Sequence, residues 1–209
     1  MQFASERELA PGKRKLIEAA LRLTAGGRSF ASLGLRELAR EAGLNPNTFY
    51  RHFDALDDLA REAVEWVSRR LRPMLRRERW LAANDEPHSV PRRACAAFFA
   101  FALENREVFL SALAEYHGTS AALREAVRVN LNEVAVQMAE DVVQSSLMPA
   151  LSHKTVEEIC TQIVLHLFHL SHEFIGNAAQ RESLIDYAER FIVRLFAGAV
   201  ALAQHEAHG

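Results

Sequence analysis

A chain of 209 residues and 23.5 kDa has room for one large domain or two small ones, and needs no disulfide or metal to hold a core. Hydrophobic residues make up 49% and charged residues 25%, which excludes an intrinsically disordered chain. The net charge of −2 by itself argues against a nucleic-acid binder, but it averages two unlike parts. Residues 1–80 carry 16 Lys+Arg against 11 Asp+Glu, a net of +5, and residues 81–209 carry 9 against 16, a net of −7. A basic N-terminal part on an acidic remainder points to two tasks, the first with an anionic partner.

No run of 18 apolar residues is free of charges or several polar groups, so no membrane contact is expected. The opening MQFASERELAPGKRK lacks the apolar stretch of a secretory leader, which makes the cytoplasm the expected compartment. Cys95 and Cys160 lie far apart in apolar surroundings and read as packing residues, and the absence of C-x-x-C excludes a zinc ribbon.

The apolar period is near 3.6 throughout, so an all-α chain of about nine helices is expected. A first helix runs from about Pro11 to Ala25, with Gly26 and Gly27 ending it. A short second helix carries Leu35, Leu38, Ala39 and Ala42 on one face, with Gly43 following it. A third starts with Asn45 as cap and Pro46 at its first position. A fourth is capped by Asp54 and runs to about Trp80, bent or divided by Pro73, and 82–91 is read as a loop. Further helices are expected near 92–104, 106–115, 120–146, 155–179 and 182–205, the fourth of these opening with a capping box over Thr155–Glu158.

Residues 35–53, LRELAREAGLNPNTFYRHF, have the form of a helix-turn-helix, whose second helix enters the DNA major groove. Asn45, Asn47 and Thr48 sit at the tip of that helix, where hydrogen-bonding side chains reach base edges. Tyr50, Arg51 and His52 follow with groups suited to phosphate oxygens. Arg36 opens the preceding helix, and Arg14, in the Lys13–Lys15 basic run, adds phosphate or minor-groove contacts.

Over about residues 13–60 these motifs resemble the TetR family of bacterial transcriptional repressors: the LRELAREAG helix, the NPNTFYRHF helix and D-x-x-D-L opening the fourth helix. The resemblance implies a DNA-binding domain over 1–53 and a ligand-binding and dimerisation domain over 54–209. It also implies a homodimer, a palindromic double-stranded DNA operator, a cytoplasmic bacterial setting and no catalytic site. Residues 28–44, 49–59 and 117–127 further resemble the DesT/FabR branch, repressors of unsaturated fatty acid synthesis that sense acyl-CoA. On that likeness the effector is a long-chain acyl-CoA, no cofactor is needed, and Trp66, Phe99, Phe109, Phe168 and Phe174 are pocket candidates; aromatic stripes otherwise usually mean solid core.

The last two helices are apolar on more than one side, which calls for a partner as well as a core. Ile163, Leu167, Phe191, Leu195, Gly198, Ala199 and Leu202 are the expected dimer interface. Six arginines, 69, 70, 72, 76, 77 and 79, are read mainly as a solvated face, with one or two available to CoA phosphates. His166, His169 and His172 do not share one helix face and are read as packing or interface residues, so no metal is expected. No nucleophile-elbow, phosphate-loop, dinucleotide or zinc-protease motif occurs. Two other readings stay open: a repressor answering another apolar small molecule, such as a drug-efflux inducer, and a helical adaptor that does not bind DNA.

Overall fold

The computed structural model describes residues 9–24 and 28–206, and all secondary structure among them is helical. Eight α-helices are α1 (Pro11–Thr24), α2 (Leu35–Glu41), α3 (Leu56–Asp85), α4 (Val90–Glu104), α5 (Arg106–Tyr116), α6 (Ala121–Gln144), α7 (His153–Gly176) and α8 (Arg181–Glu206). A 3₁₀ helix over Pro46–Arg51 follows α2 and takes the place of the expected third α-helix. Gly26 and Gly27 lie outside the described residues.

α1, α2 and the 3₁₀ helix form a small head around Leu16, Ile17, Leu38 and Phe49, all at most 1% exposed. The α2 turn closes by backbone chemistry alone. Gly43 has φ +65, its N–H donates to Arg40 O at 3.1 Å, and Leu44 N–H donates to Ala39 O at 2.9 Å. This paired pattern satisfies the carbonyls at the helix end and requires a left-handed residue, which glycine supplies without strain.

α3 passes from head to body without a break. Its 30 residues make it about 45 Å long. Asp54 is not its cap: Ala55 holds that position, and the Asp58 carboxylate accepts from Ala55 N–H at 3.0 Å. Pro73 lies inside the helix and does not end it, and residues 82–85, expected as loop, are its last turn. α7 likewise starts earlier than expected, because Ser152 caps it by accepting from Thr155 N–H at 3.1 Å. In the body α6 packs on α3 and α7, and α4 packs on α3 and α8. One buried ion pair ties α3 to α6: Arg79 Nη2 lies 2.5 Å from Asp141 Oδ2, with both side chains nearly inaccessible. Cys95 and Cys160 are free and buried, and burial pushes each thiol up to about 12, so both stay protonated.

Candidate nucleic-acid interface and effector cavities

The head presents the predicted DNA-contact residues on its surface. Arg14, Arg36, Asn45, Asn47, Tyr50 and Arg51 are exposed, and Thr48 and His52 are half-buried. Tyr50 is 64% exposed, an unusual setting for a tyrosine unless something covers it. Its ring meets Phe49 edge-on at 5.5 Å, so the buried Phe49 orients it outward. Asn45 has a structural duty: its Oδ1 accepts from Asn47 N–H at 2.9 Å, which caps the 3₁₀ helix and leaves its amide nitrogen for other contacts. Arg14 lies 3.6 Å from Glu18, one turn on.

His52 is held by close packing that the sequence pattern did not reveal. A Cβ placed on Gly12 would fall 2.7 Å from His52 Nε2, so any larger residue there requires the imidazole to move away from α1. Beside it, Lys13 lies over the Phe53 ring at 5.3 Å and pairs with Glu62 of α3 at 3.0 Å. α1, the recognition segment and α3 therefore meet at one place.

Among the described residues two hydrogen bonds join head to body, and both escaped the sequence pattern because their partners lie more than 80 positions apart. Thr24, at the end of α1, and Ser111 of α5 bring their hydroxyl oxygens to 2.6 Å. Phe30 N–H donates to Glu115 Oε1 at 2.9 Å, and Glu115 is only 4% exposed. Both contacts fall on α5.

The body holds two distinct apolar cavities. A small one, about 60 Å³, lies between α3, α5, α6 and α7, and Phe109 and Phe168 line it. The other pocket candidates line neither cavity. Phe99 and Phe174 stack at 4.6 Å with an interplanar angle of 9°, packed as solid core, and Trp66 lies half-buried under the Arg70 guanidinium at 5.6 Å. The larger cavity, about 510 Å³, lies between the end of α3, the start of α4, the end of α6 and α8. No phenylalanine stripe marked it beforehand.

The α3 arginines are largely engaged. Arg69 pairs with Glu62 and Glu65, Arg72 with Glu65 and Glu133, and Arg76 and Arg79 with Asp141. Arg70 instead lies over the Trp66 and Phe101 rings, and among the described residues Arg77 makes neither kind of contact.

The expected dimer residues divide into two sets. Ile163 and Leu167 are buried within the protomer, against its own core, and so do not face outward. Phe191, Leu195 and Ala199 are half-buried, Gly198 is exposed and Leu202 is 66% exposed. These five, with the exposed Tyr187, follow one stripe along α8. His166 of α7 lies under this stripe, its ring 4.1 Å from Phe191 and 5.5 Å from Tyr187, with Nε2 buried and without a hydrogen-bond partner. Burial, and then the neighbouring His169, lower its pKa. No cluster of three or more metal-ligating side chains occurs among the described residues, and no described helix is long and apolar enough to cross a membrane.

The described residues form a helix-turn-helix head on an all-helical body. Residues 16–63 match the family described as bacterial regulatory proteins, tetR family. That match covers α1, α2, the 3₁₀ helix and the start of α3, so this N-terminal segment is similar to the corresponding segment of TetR-type regulators. Solved structures share the fold across nearly the whole chain. A protein of Pseudomonas aeruginosa PAO1, described as a transcriptional regulator, is 22% identical, with a TM-score of 0.72 over 93% of this chain and 95% of its own. A TetR-family regulator of Syntrophomonas wolfei is 12% identical, with a TM-score of 0.73 over 89% and 95%. The fatty acid degradation regulator FadR of Bacillus halodurans is also 12% identical, with a TM-score of 0.68 over 92% and 98%.

Proposed function

We propose that the protein is a homodimeric repressor of unsaturated fatty acid metabolism whose operator affinity is set by a long-chain acyl-CoA. The observation that carries this reading is the joining of an apolar-cavity body to a DNA-reading head through Thr24–Ser111 and Phe30–Glu115. The fold it shares with a fatty acid degradation regulator supports the ligand class.

Two heads must present their recognition segments about 34–36 Å apart to meet successive major grooves of a palindromic operator. In each head Asn47 and Thr48 face base edges, while Arg14, Arg36, Tyr50, Arg51 and His52 take phosphates. The exposed α8 stripe of Tyr187, Phe191, Leu195, Gly198 and Leu202 pairs with its copy across a two-fold axis. A ligand that fits one body conformation better than another biases the head spacing by its difference in affinity. A straight and a kinked chain differ in shape, and close-packed interiors turn such differences into discrete states.

The test is operator binding by gel shift with palmitoyl-CoA and oleoyl-CoA as separate additions. A change in operator affinity of at least fivefold with one of them is expected, and indifference to both overturns the acyl-CoA assignment. A response to an unrelated apolar drug in its place would favour the efflux-inducer reading.

A further inference from the structure

Resting on the acyl-CoA reading above, we infer that the acyl chain is held not beside Phe109 and Phe168 but in the 510 Å³ cavity at the end of α3 opposite the head. Size separates the two candidates first. Sites for ligands of this class span about 300–1,000 Å³. The cavity beside Phe109 and Phe168, at about 60 Å³, has room for only a water or two, whereas the distal one falls within that span.

Chemistry agrees with size. The distal walls are Val90 of α4, Met138 and Val142 of α6, Leu147 beyond it, and Ile192 and Phe196 of α8. The one charged side chain in the lining, Arg79, is neutralised by Asp141. An interior of this kind rewards an uncharged hydrocarbon chain and penalises an ion. The polar end of such a ligand would emerge at the mouth, where His88 lines the cavity and is exposed.

The wall on α8 is also uncovered. Val193 is 48% exposed, and Ala197 and Ala201 are exposed, although all three line the cavity. At 100° per residue Val193 and Ala197 lie about 160° around the helix from Leu195, while Ala201 borders the stripe. A partner seated on the Tyr187–Leu202 stripe therefore leaves Val193 and Ala197 open, where a ligand can cover them.

Backbone strain marks the same place. Ser146 has φ 52, the one left-handed residue other than glycine among the described residues. Its N–H donates to Val143 O at 3.1 Å and Leu147 N–H donates to Val142 O at 3.3 Å, so the chain turns sharply and delivers Leu147 and Met148 into the cavity wall. Serine there is strained where glycine would not be. Met138 and Met148 give the wall two side chains that readily adapt to the shape of a chain. The Arg79–Asp141 pair links this wall to α3, which runs back to the head.

The experiment is fluorescence titration of the full chain with cis-parinaric acid, a polyene fatty acid that brightens in apolar surroundings. Wild type is compared with Ala197→Trp and Ala201→Trp, which obstruct the distal cavity from exposed positions, and with Leu131→Phe, which fills the small one. Binding to wild type and to Leu131→Phe, with at least a tenfold loss in both tryptophan variants, is the expected result. No binding to wild type, or binding that Leu131→Phe abolishes and the tryptophan variants keep, overturns the assignment. Operator gel shifts with oleoyl-CoA on the same proteins separate the two ideas. A response equal in wild type and Ala197→Trp overturns the cavity and leaves the sensor. A wild type without any response, yet binding the fatty acid only through this cavity, removes the acyl-CoA regulation and keeps the site.

Discussion

Thr24 and Ser111 meet hydroxyl to hydroxyl at 2.6 Å, joining the last turn of α1 to the middle of α5. Thr24 also donates within its own helix, with Ala20 O at 3.0 Å and Leu21 O at 3.2 Å, so its hydroxyl is oriented before it meets α5. Ser111 and Glu115 are one helical turn apart, and both point at the head. Besides the continuous α3, the head is thus held to the body through α5.

Ser111→Ala should lower stability by about 1 kcal/mol, the usual worth of one neutral hydrogen bond. It should also shrink the effect of ligand on operator affinity, because one of the two bonds that carry movement to the head is gone. Chemical denaturation together with gel shifts at fixed salt measures both effects. Full ligand response in Ser111→Ala would mean that coupling runs elsewhere.

Gly12→Ala should weaken operator binding while the helices stay folded. The new Cβ would fall 2.7 Å from His52 Nε2 and push the imidazole out of place. Loss of one phosphate contact corresponds to about 1 kcal/mol, roughly fivefold in affinity. The loss should be similar on operator and on random DNA, since phosphate contacts carry no sequence information.

Removing Asp141 leaves the buried Arg79 guanidinium without its partner, whereas removing Arg79 leaves Asp141 still paired with Arg76 at 3.3 Å. Asp141→Leu should cost about 3–5 kcal/mol, Arg79→Met less, and the double variant less than their sum. Urea melts of the four proteins give the coupling directly, and additive losses would show that the pair is not a unit.

Leu195→Glu should yield monomers that no longer hold the operator, because it puts a charge in the centre of the exposed α8 stripe. Ile163→Glu should behave differently: Ile163 is wholly buried in the protomer, so that change unfolds the chain. Light scattering and circular dichroism distinguish the two outcomes.

The protein should lose stability as acid is added, through His166. Its folded-state pKa lies below the ordinary histidine value of about 6.5, because burial disfavours the charged ring and His169 adds to this. The unfolded chain then binds the proton more readily, so this contribution is intact above the ordinary value and declines as pH falls below it toward the lowered one. Tyr187 and Phe191 of α8 face the ring, and neither offers it an opposite charge. His166→Gln should flatten the pH dependence of the urea midpoint in that window.

Helix number, order and most boundaries were legible in the sequence, because amphipathic period and capping residues act over three or four positions. Leu38 and Phe49 inward, Gly43 in the turn and Asn45 as cap all followed from local chemistry. Local rules misplaced elements where a tertiary contact outweighed them. Pro73 stays inside α3 because the helix on both sides of it is packed, with Leu71 and Leu75 buried. Helix periodicity said that the last two helices have several apolar sides, yet only the folded packing decided that Ile163 and Leu167 face inward while Leu195 and Leu202 do not. A phenylalanine count cannot tell a stacked core pair such as Phe99 and Phe174 from a cavity wall, since both bury the same surface. The larger cavity arises where four helix ends fail to fill the space between them, and that depends on how the helices cross, which no local pattern encodes. Basic head, acidic body and recognition motif were written along the chain; the bonds between head and body, and the cavity at the far end of α3, exist only once residues far apart in the sequence are brought together.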